Sequence, residues 1–593
     1  MRKLGFLLVL ASLSLLAACG SSGGGSNTSS TVTSVSVSCS PSTVSSGQTS
    51  QCSATVTGTG NFSSAVTWTA NNNATISSTG LLTAPTVSSA TTVTVTATST
   101  QDATKSGTAS VTVNPMGSIT AVSVSCLPST VSSGQTSQCS ATVTGTGSFS
   151  SSVTWSATAG SISASGVLTA PIVSSPTTVT VTATSTQDAT KSGTASVTVN
   201  PITAGANVAP IIVDAGPDPA NFTSANVAFV TVTVCVPGST TQCQTIDHVQ
   251  VDTGSSGLRI ISSVLTISLP PENDSGGNPL DECLVFADGF VWGPVATADI
   301  TVAGETASAV PVQIMIPASS LPPVPPTCSS QNPTGGSGNE GGSVDAFGAN
   351  ALIGVGLFQQ DCGPYCVTNS TNPYFYYGCT SSGCTPTTAT LAQQVPNPAA
   401  LFATDNNGVL VQLESVPDGG LATANGFLIF GIGTQSNNGL GGATVYPVPD
   451  SGNNAGDFIT TFTGSSGVPE SYPQSFVDSG SNGYFFLDSA TTGIPTCSGQ
   501  LSAWYCPTTS PDNLTASNQG QSVSGPLGSQ ISVSFSIENT NNLFSGSNSA
   551  FSTLGGVNSG AFDWGLSFFY GRNVFTAIEN MSTPGGTGPY FAY

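Results

Sequence analysis

Two stretches of this 593-residue chain are near copies of one another: SVSVSCSPSTVSSGQTSQCSATVTGTG from Ser34 and AVSVSCLPSTVSSGQTSQCSATVTGTG from Ala121. Landmarks beyond the copied run keep the same offset of 87 residues (126 − 39), from Cys39 to Cys126, Cys52 to Cys139 and Trp68 to Trp155. Inside each copy apolar residues alternate with Ser and Thr, as at Val35 and Val37 or Val93 and Val95. A period of two gives a strand one buried face and one wet face. Each copy has one Trp, a short Cys-to-Cys loop and a closing Val-Thr-Val-Asn-Pro. That pattern predicts a small β-sandwich over 31–115 and another over 118–201.

Ser78-Thr79-Gly80-Leu81-Leu82-Thr83-Ala84 and Ser165-Gly166-Val167-Leu168-Thr169-Ala170 resemble bacterial Ig-like repeats. The resemblance implies spacers or adhesive modules and no chemistry of their own.

Charge is scarce and one-sided, with six Lys and Arg against 28 Asp and Glu. From residue 205 onward 26 acids face Arg259 and Arg572 alone, a net of −24. Nucleic-acid binding needs a cationic footprint, which this chain lacks.

The chain opens with Met1-Arg2-Lys3 and an apolar run from Leu4 to Leu16, the pattern of a signal peptide over 1–18. The run ends in Leu16-Ala17-Ala18-Cys19-Gly20, which resembles a lipobox. The resemblance implies lipidation of Cys19, cleavage before it and membrane attachment by lipid, the alternative being an ordinary cleaved signal peptide. Residues 19–30, rich in Gly and Ser, read as a flexible tether. Localisation to the cell envelope follows, as an outer-membrane lipoprotein or at the cell surface. Setting Cys19 aside leaves fourteen of the fifteen cysteines, an even number suited to disulfides in an exported protein. Local spacing pairs Cys39 with Cys52, Cys126 with Cys139, Cys235 with Cys243, Cys283 with Cys328 and Cys497 with Cys506. Cys362, Cys366, Cys379 and Cys384 form a cluster whose connectivity stays open. A zinc site there is the weaker reading, because the lone His248 is distant in sequence.

Residues 205–593 are richer in Pro, Phe, Asp and Cys, with apolar alternation broken by Gly- and Asn-rich loops and one short helical candidate near 396–404. Four Asp-[Ser/Thr]-Gly triplets occur, at Asp252, Asp274, Asp450 and Asp478. Asp274 and Asp450 sit among Pro, Asn and Gly and read as loops. Asp252 and Asp478 each end one apolar strand and precede another, so each is expected at the tip of a tight turn. Two such tips facing each other place two carboxylates where they share one proton, one as acid and one as base towards water.

This pairing resembles the pepsin-like aspartic proteases. Ala351-Leu352-Ile353-Gly354 resembles the apolar-Gly strand that crosses beneath their first catalytic loop, and Trp564-Gly565-Leu566 its second-lobe counterpart. Asn425-Gly426-Phe427-Leu428-Ile429-Phe430-Gly431 resembles the strand that opens their second lobe. The resemblance implies an all-β chain, with two Ig-like sandwiches followed by a bilobal pepsin-like double β-barrel over 205–593. It implies catalysis by Asp252 and Asp478 on a protein or peptide substrate, without metal or organic cofactor. Thr253, Gly254, Ser255, Ser479, Gly480 and Ser481 then support the pair, and a flap hairpin over 284–293 carries Phe286 and Gly289. Phe286 falls where a tyrosine is usual, and Arg259 where a tryptophan commonly packs against it. Two further readings stand beside the endopeptidase: a catalytically inactive pepsin fold that binds or adheres at the surface, and a carbohydrate-binding module using the aromatic run Tyr374–Tyr377.

Overall fold

The computed structural model describes residues 30–593 apart from 174, 202–205, 288, 318–319, 321–322, 332–341, 372–373 and 522–526. The leader, the lipobox-like Cys19 and all but the last tether residue lie outside the described residues. The fold is all-β, 49% strand against 6% helix, as a Val-, Thr- and Ser-rich alternating sequence requires. The helical candidate near 396–404 is a single 3-10 turn, Pro398–Leu401.

The chain divides into two compact units: residues up to Val122 with Thr142–Val153 and Thr184–Ser192, and Ser123–Ala141 with Thr154–Ala183 and Gly193–Tyr593. In the first unit the first repeat forms two four-stranded sheets. One orders Thr31–Ser40, Thr49–Thr59, Leu81–Thr83 and Thr75–Ile76; the other orders Thr43–Ser45, Ser106–Asn114, Thr91–Ser99 and Val66–Ala70. The alternation buries Val44, Leu82, Val93, Val95, Val111 and Val113 in one core. Cys39 and Cys52 sit opposite each other in the ladder and are disulfide-bonded. In the second unit the second repeat builds the equivalent core from Val131, Leu168, Val179, Val181, Val197 and Val199, beside the Cys126–Cys139 disulfide.

The remainder of the second unit is bilobal. Val208–Val213 pairs antiparallel with Ala424–Phe430, so strands of both lobes join one fifteen-stranded sheet. The second lobe adds a seven-stranded sheet running from Ile531–Ile537 to Gly555–Gly556.

One three-strand device occurs twice. In the first lobe Ala351–Val355 lies parallel to Cys243–Asp252 and antiparallel to Ser256–Ile261, threading between the two arms of the Asp252 turn. In the second lobe Asn558–Trp564 lies parallel to Pro469–Val477 and antiparallel to Tyr484–Leu487, doing the same for Asp478. Asp252 pairs with Gly354. One step beyond the Val477–Trp564 pair, Gly565 takes the equivalent place beside Asp478.

The Asp478 turn rests on an aromatic cluster. Phe486 and Phe562 stack at 5.2 Å, Phe562 and Trp564 at 5.5 Å, and Phe535 meets Trp564 edge-on at 5.2 Å. Such contacts add to the area each ring buries and keep the threaded strand in one place.

The remaining described cysteines are all paired: Cys235–Cys243, Cys283–Cys328, Cys362–Cys366, Cys379–Cys384 and Cys497–Cys506. The four-cysteine cluster is thus two local bridges. Cys379–Cys384 clamps the hairpin of Tyr376–Thr380 and Gly383–Pro386.

Candidate active site

Each Asp turn folds its own backbone around the carboxylate. Asp252 Oδ1 accepts the Gly254 N–H at 2.7 Å and the Ser255 N–H at 3.1 Å, and its Oδ2 accepts the Ser255 hydroxyl at 2.5 Å. Asp478 Oδ1 accepts the Gly480 N–H at 2.7 Å and its Oδ2 the Ser481 hydroxyl at 2.8 Å. Asp252 therefore receives three donors and Asp478 two. Donors favour the charged form of the group they reach.

The two turns grip each other reciprocally. The Thr253 N–H donates to Ser479 Oγ at 3.1 Å, and the Ser479 N–H to Thr253 Oγ1 at 2.9 Å. The Ser479 hydroxyl donates to the Val251 carbonyl at 2.8 Å, and Gln250 Nε2 to the Gly480 carbonyl at 2.9 Å. Asp252, Thr253 and Ser479 are buried, so every polar group in the grip must find its partner inside the protein.

Glycine is required where the turns meet. A Cβ at Gly254 would lie 2.7 Å from Asp478 Cγ, and one at Gly480 would lie 2.7 Å from Asp252 Cγ. Below, a Cβ at Gly354 would stand 2.7 Å from Ser255 Oγ, and one at Gly565 would stand 2.6 Å from the Ser481 carbonyl. The paired glycines let each threaded strand pass close under its turn.

The carboxylates come near enough to hydrogen-bond each other. Burial first, then the charges of Asp252 and Asp563, hold the Asp478 carboxyl well above the usual range. Two carboxylates this close cannot both ionise cheaply, so the pair favours holding one proton between them. A cavity of about 200 Å³ lies against Thr253 and Gly254, lined also by Leu357, Phe358, Asp457 and Phe476. Burial lifts the Asp457 carboxyl there to about 7.

The predicted flap residues lie at the turn end of a hairpin. Leu280–Val285 and Phe290–Val302 form a hairpin whose turn closes from the Phe286 N–H to the Gly289 carbonyl at 2.8 Å. Phe286 packs against the cluster of Ile261, Leu284, Val291 and Met315. Asp288 is outside the described residues.

Arg259 is fully buried, in place of the tryptophan that the resemblance leads one to expect there. Its Nη2 reaches Glu282 Oε1 at 2.7 Å and Asp361 Oδ2 at 3.4 Å, and Nη1 donates to the Ser256 carbonyl at 2.6 Å. The Tyr376 hydroxyl donates to Asp361 at 2.7 Å and accepts the Val395 N–H at 2.9 Å. Burial, then the neighbouring Glu282 charge, push the Asp361 carboxyl well above its ordinary value. This network ties the return arm of the Asp252 turn to the hairpin. Tyr376 and Tyr377, in the aromatic run, have no exposed surface and are interior packing.

Asp563, whose charge acts on Asp478, is a residue that reading the sequence missed. It neighbours Trp564 on the threaded strand and is 6% exposed. The signal was present: Phe562-Asp563-Trp564-Gly565 puts an acid where the first-lobe strand, Ala351-Leu352-Ile353-Gly354, is apolar throughout.

A family model described as "Protein of unknown function (DUF3443)" matches residues 203–593. Among curated proteins none matches. Among solved structures, the aspartic proteinase from Irpex lacteus is similar with a TM-score of 0.38 and 15% identity, covering 65% of this chain and 96% of that chain.

Proposed function

The chain belongs to the DUF3443 family, and we propose that it is an endopeptidase that hydrolyses peptide bonds with Asp252, Asp478 and a water molecule. The observation that carries the reading is the reciprocal grip of the two Asp turns, which brings the buried Asp252 carboxylate against the half-buried Asp478 carboxyl, itself held well above its usual range. In the reaction Asp252, as the base, takes a proton from water as the water oxygen attacks the peptide carbonyl carbon. The protonated Asp478 gives its proton to the carbonyl oxygen, forming a neutral tetrahedral diol. Collapse of the diol returns a hydroxyl proton to Asp478. The proton held by Asp252 passes to the leaving nitrogen, the C–N bond breaks, and the pair is back in its starting state. Thr253, Gly254, Ser255, Ser479, Gly480 and Ser481 orient the carboxylates and are positioning residues.

The expected result with an unfolded protein substrate is cleavage that is lost on the alkaline side, because the mechanism needs one proton on the pair. A folded chain that cleaves nothing at any pH overturns the enzyme reading and leaves surface binding as the alternative. Cleavage that rises steadily above neutral pH assigns it to other chemistry.

The reading includes export and attachment to the cell envelope by lipid at Cys19, with the two repeats as a stalk. Seven disulfides support an oxidising compartment. Cys19→Ser is expected to release the protein from the membrane fraction. A Cys19→Ser chain that stays with membranes after a high-salt wash excludes the anchor.

A further inference from the structure

Asp563 occupies the strand Asn558–Trp564, which threads between the two arms of the Asp478 turn. Strand alternation sends its neighbours Phe562 and Trp564 into the aromatic core and Asp563 to the other face. Its cross-strand partners are Phe476 and Phe485, neither of which titrates. Tyr484 and Arg572 belong to the aromatic face, the one against Trp564 and the other over Phe568. Asp563 Oδ1 is buried with no hydrogen-bond partner among the described residues. The Ser481 hydroxyl acts on the Asp563 carboxyl and donates to Asp478 Oδ2. The charges it feels and exerts are those of Asp252 and Asp478.

We propose that Asp563 is a third carboxyl of the Asp252–Asp478 centre, linked to Asp478 through the Ser481 hydroxyl, so that the three groups titrate as one unit and Asp563 extends the shared proton to higher pH. A protonated Asp563 donates to Ser481 Oγ, leaving the Ser481 hydrogen free to point at Asp478. This gives one continuous donor chain from the strand to the pair. Burial, with the Asp252 charge adding to it and the Ser481 hydroxyl opposing it, pushes the Asp563 carboxyl up to about 8. It is thus neutral where the pair needs its proton. As pH rises and Asp563 ionises, its new charge makes the Asp478 proton harder to remove. Asp563 acts through Ser481 and Asp478 and is a positioning residue. The catalytic half of this inference rests on the peptidase reading; the titration half does not.

The test pairs a proton count with a pH–rate profile on the full chain. Asp563→Asn keeps the side-chain shape. Potentiometric titration across about pH 6 to 9 is expected to find one proton fewer released than by the parent protein. In the same variant the alkaline limb of cleavage is expected to move about one pH unit lower, so that just above the limb the rate falls about tenfold. If Asp563→Asn fails to fold, Asp252→Asn serves instead. Losing the Asp252 charge should move the Asp563 proton step to lower pH, whatever happens to activity. A folded Asp563→Asn chain that releases as many protons as its parent overturns the proposal, as does an unmoved step in Asp252→Asn. A missing proton in Asp563→Asn with an inactive parent protein upholds the three-carboxyl centre and defeats only the peptidase reading.

Discussion

Replacing Asp252 or Asp478 with Asn is expected to lower turnover by on the order of 10²- to 10⁴-fold, because an amide can neither accept nor return the proton each step moves. The double variant should be hardly worse than either single one, since the carboxylates act as one unit and the first loss already removes its function. Asn preserves most of the turn geometry: its Oδ1 still accepts the N–H of Gly254 or Gly480. Circular dichroism should therefore show a folded protein. Asp274→Asn and Asp450→Asn are the internal controls. Asp274 takes the Gly276 and Asn278 N–H groups in its own turn, and Asp450 is exposed. Both substitutions should leave the rate unchanged. A folded Asp478→Asn chain with full activity would refute the mechanism even if proteolysis is real.

Stability is expected to fall as pH rises, the reverse of a protein held by salt-bridged carboxylates. Burial lifts Asp281 to about 7 and, as the largest cause, Asp563 to about 8, from an ordinary value of 3.8. Burial and the Asp252 charge raise Asp478 in the same way. For an acid with a raised value the fold keeps a proton that the unfolded chain has already shed. The benefit is complete below the unfolded value and disappears as pH climbs through the folded one. The window runs from about pH 4 to about pH 8. A tenfold difference in proton affinity between folded and unfolded chain is worth about 1.4 kcal/mol, so the loss across the window is on the order of several kcal/mol. Asp274 and Asp488, whose values are lowered by hydrogen bonds from neighbouring residues, contribute fully above about pH 4 and do not change over this range. Denaturant midpoints followed by tryptophan emission should drop between about pH 5 and pH 8. Midpoints that stay level or rise would show that these buried acids are not protonated in the fold.

The β-character, the repeats and the two Asp turns were legible in the chain because each is local. Alternation at Val93 and Val95 reports one strand's buried face, and a copied run reports itself. A strand–Asp–Gly–strand pattern is a turn wherever it occurs. Local spacing likewise paired ten of the fourteen cysteines as the structure does. It left Cys362, Cys366, Cys379 and Cys384 open, because four cysteines within twenty-three residues (384 − 362 + 1) satisfy spacing in more than one way. The hairpin of Tyr376–Thr380 and Gly383–Pro386 decides between them by setting Cys379 opposite Cys384.

What the chain determined alone, then, was which segments become strands and where two aspartates stand at turn tips. The tertiary structure decided what those tips meet. Gly254 faces a carboxylate 224 residues away (478 − 254), and Thr253 exchanges hydrogen bonds with Ser479. Arg259 had no legible partner until the fold closed Glu282 and Asp361 around it. Asp563 read as one acid among many, yet its place under the Asp478 turn takes it out of water and beside two other carboxyls. Alternation and turn chemistry act over a few residues and are written in the order of the chain. Desolvation and the field of a neighbouring charge depend on distances through space, and only the packed fold sets those.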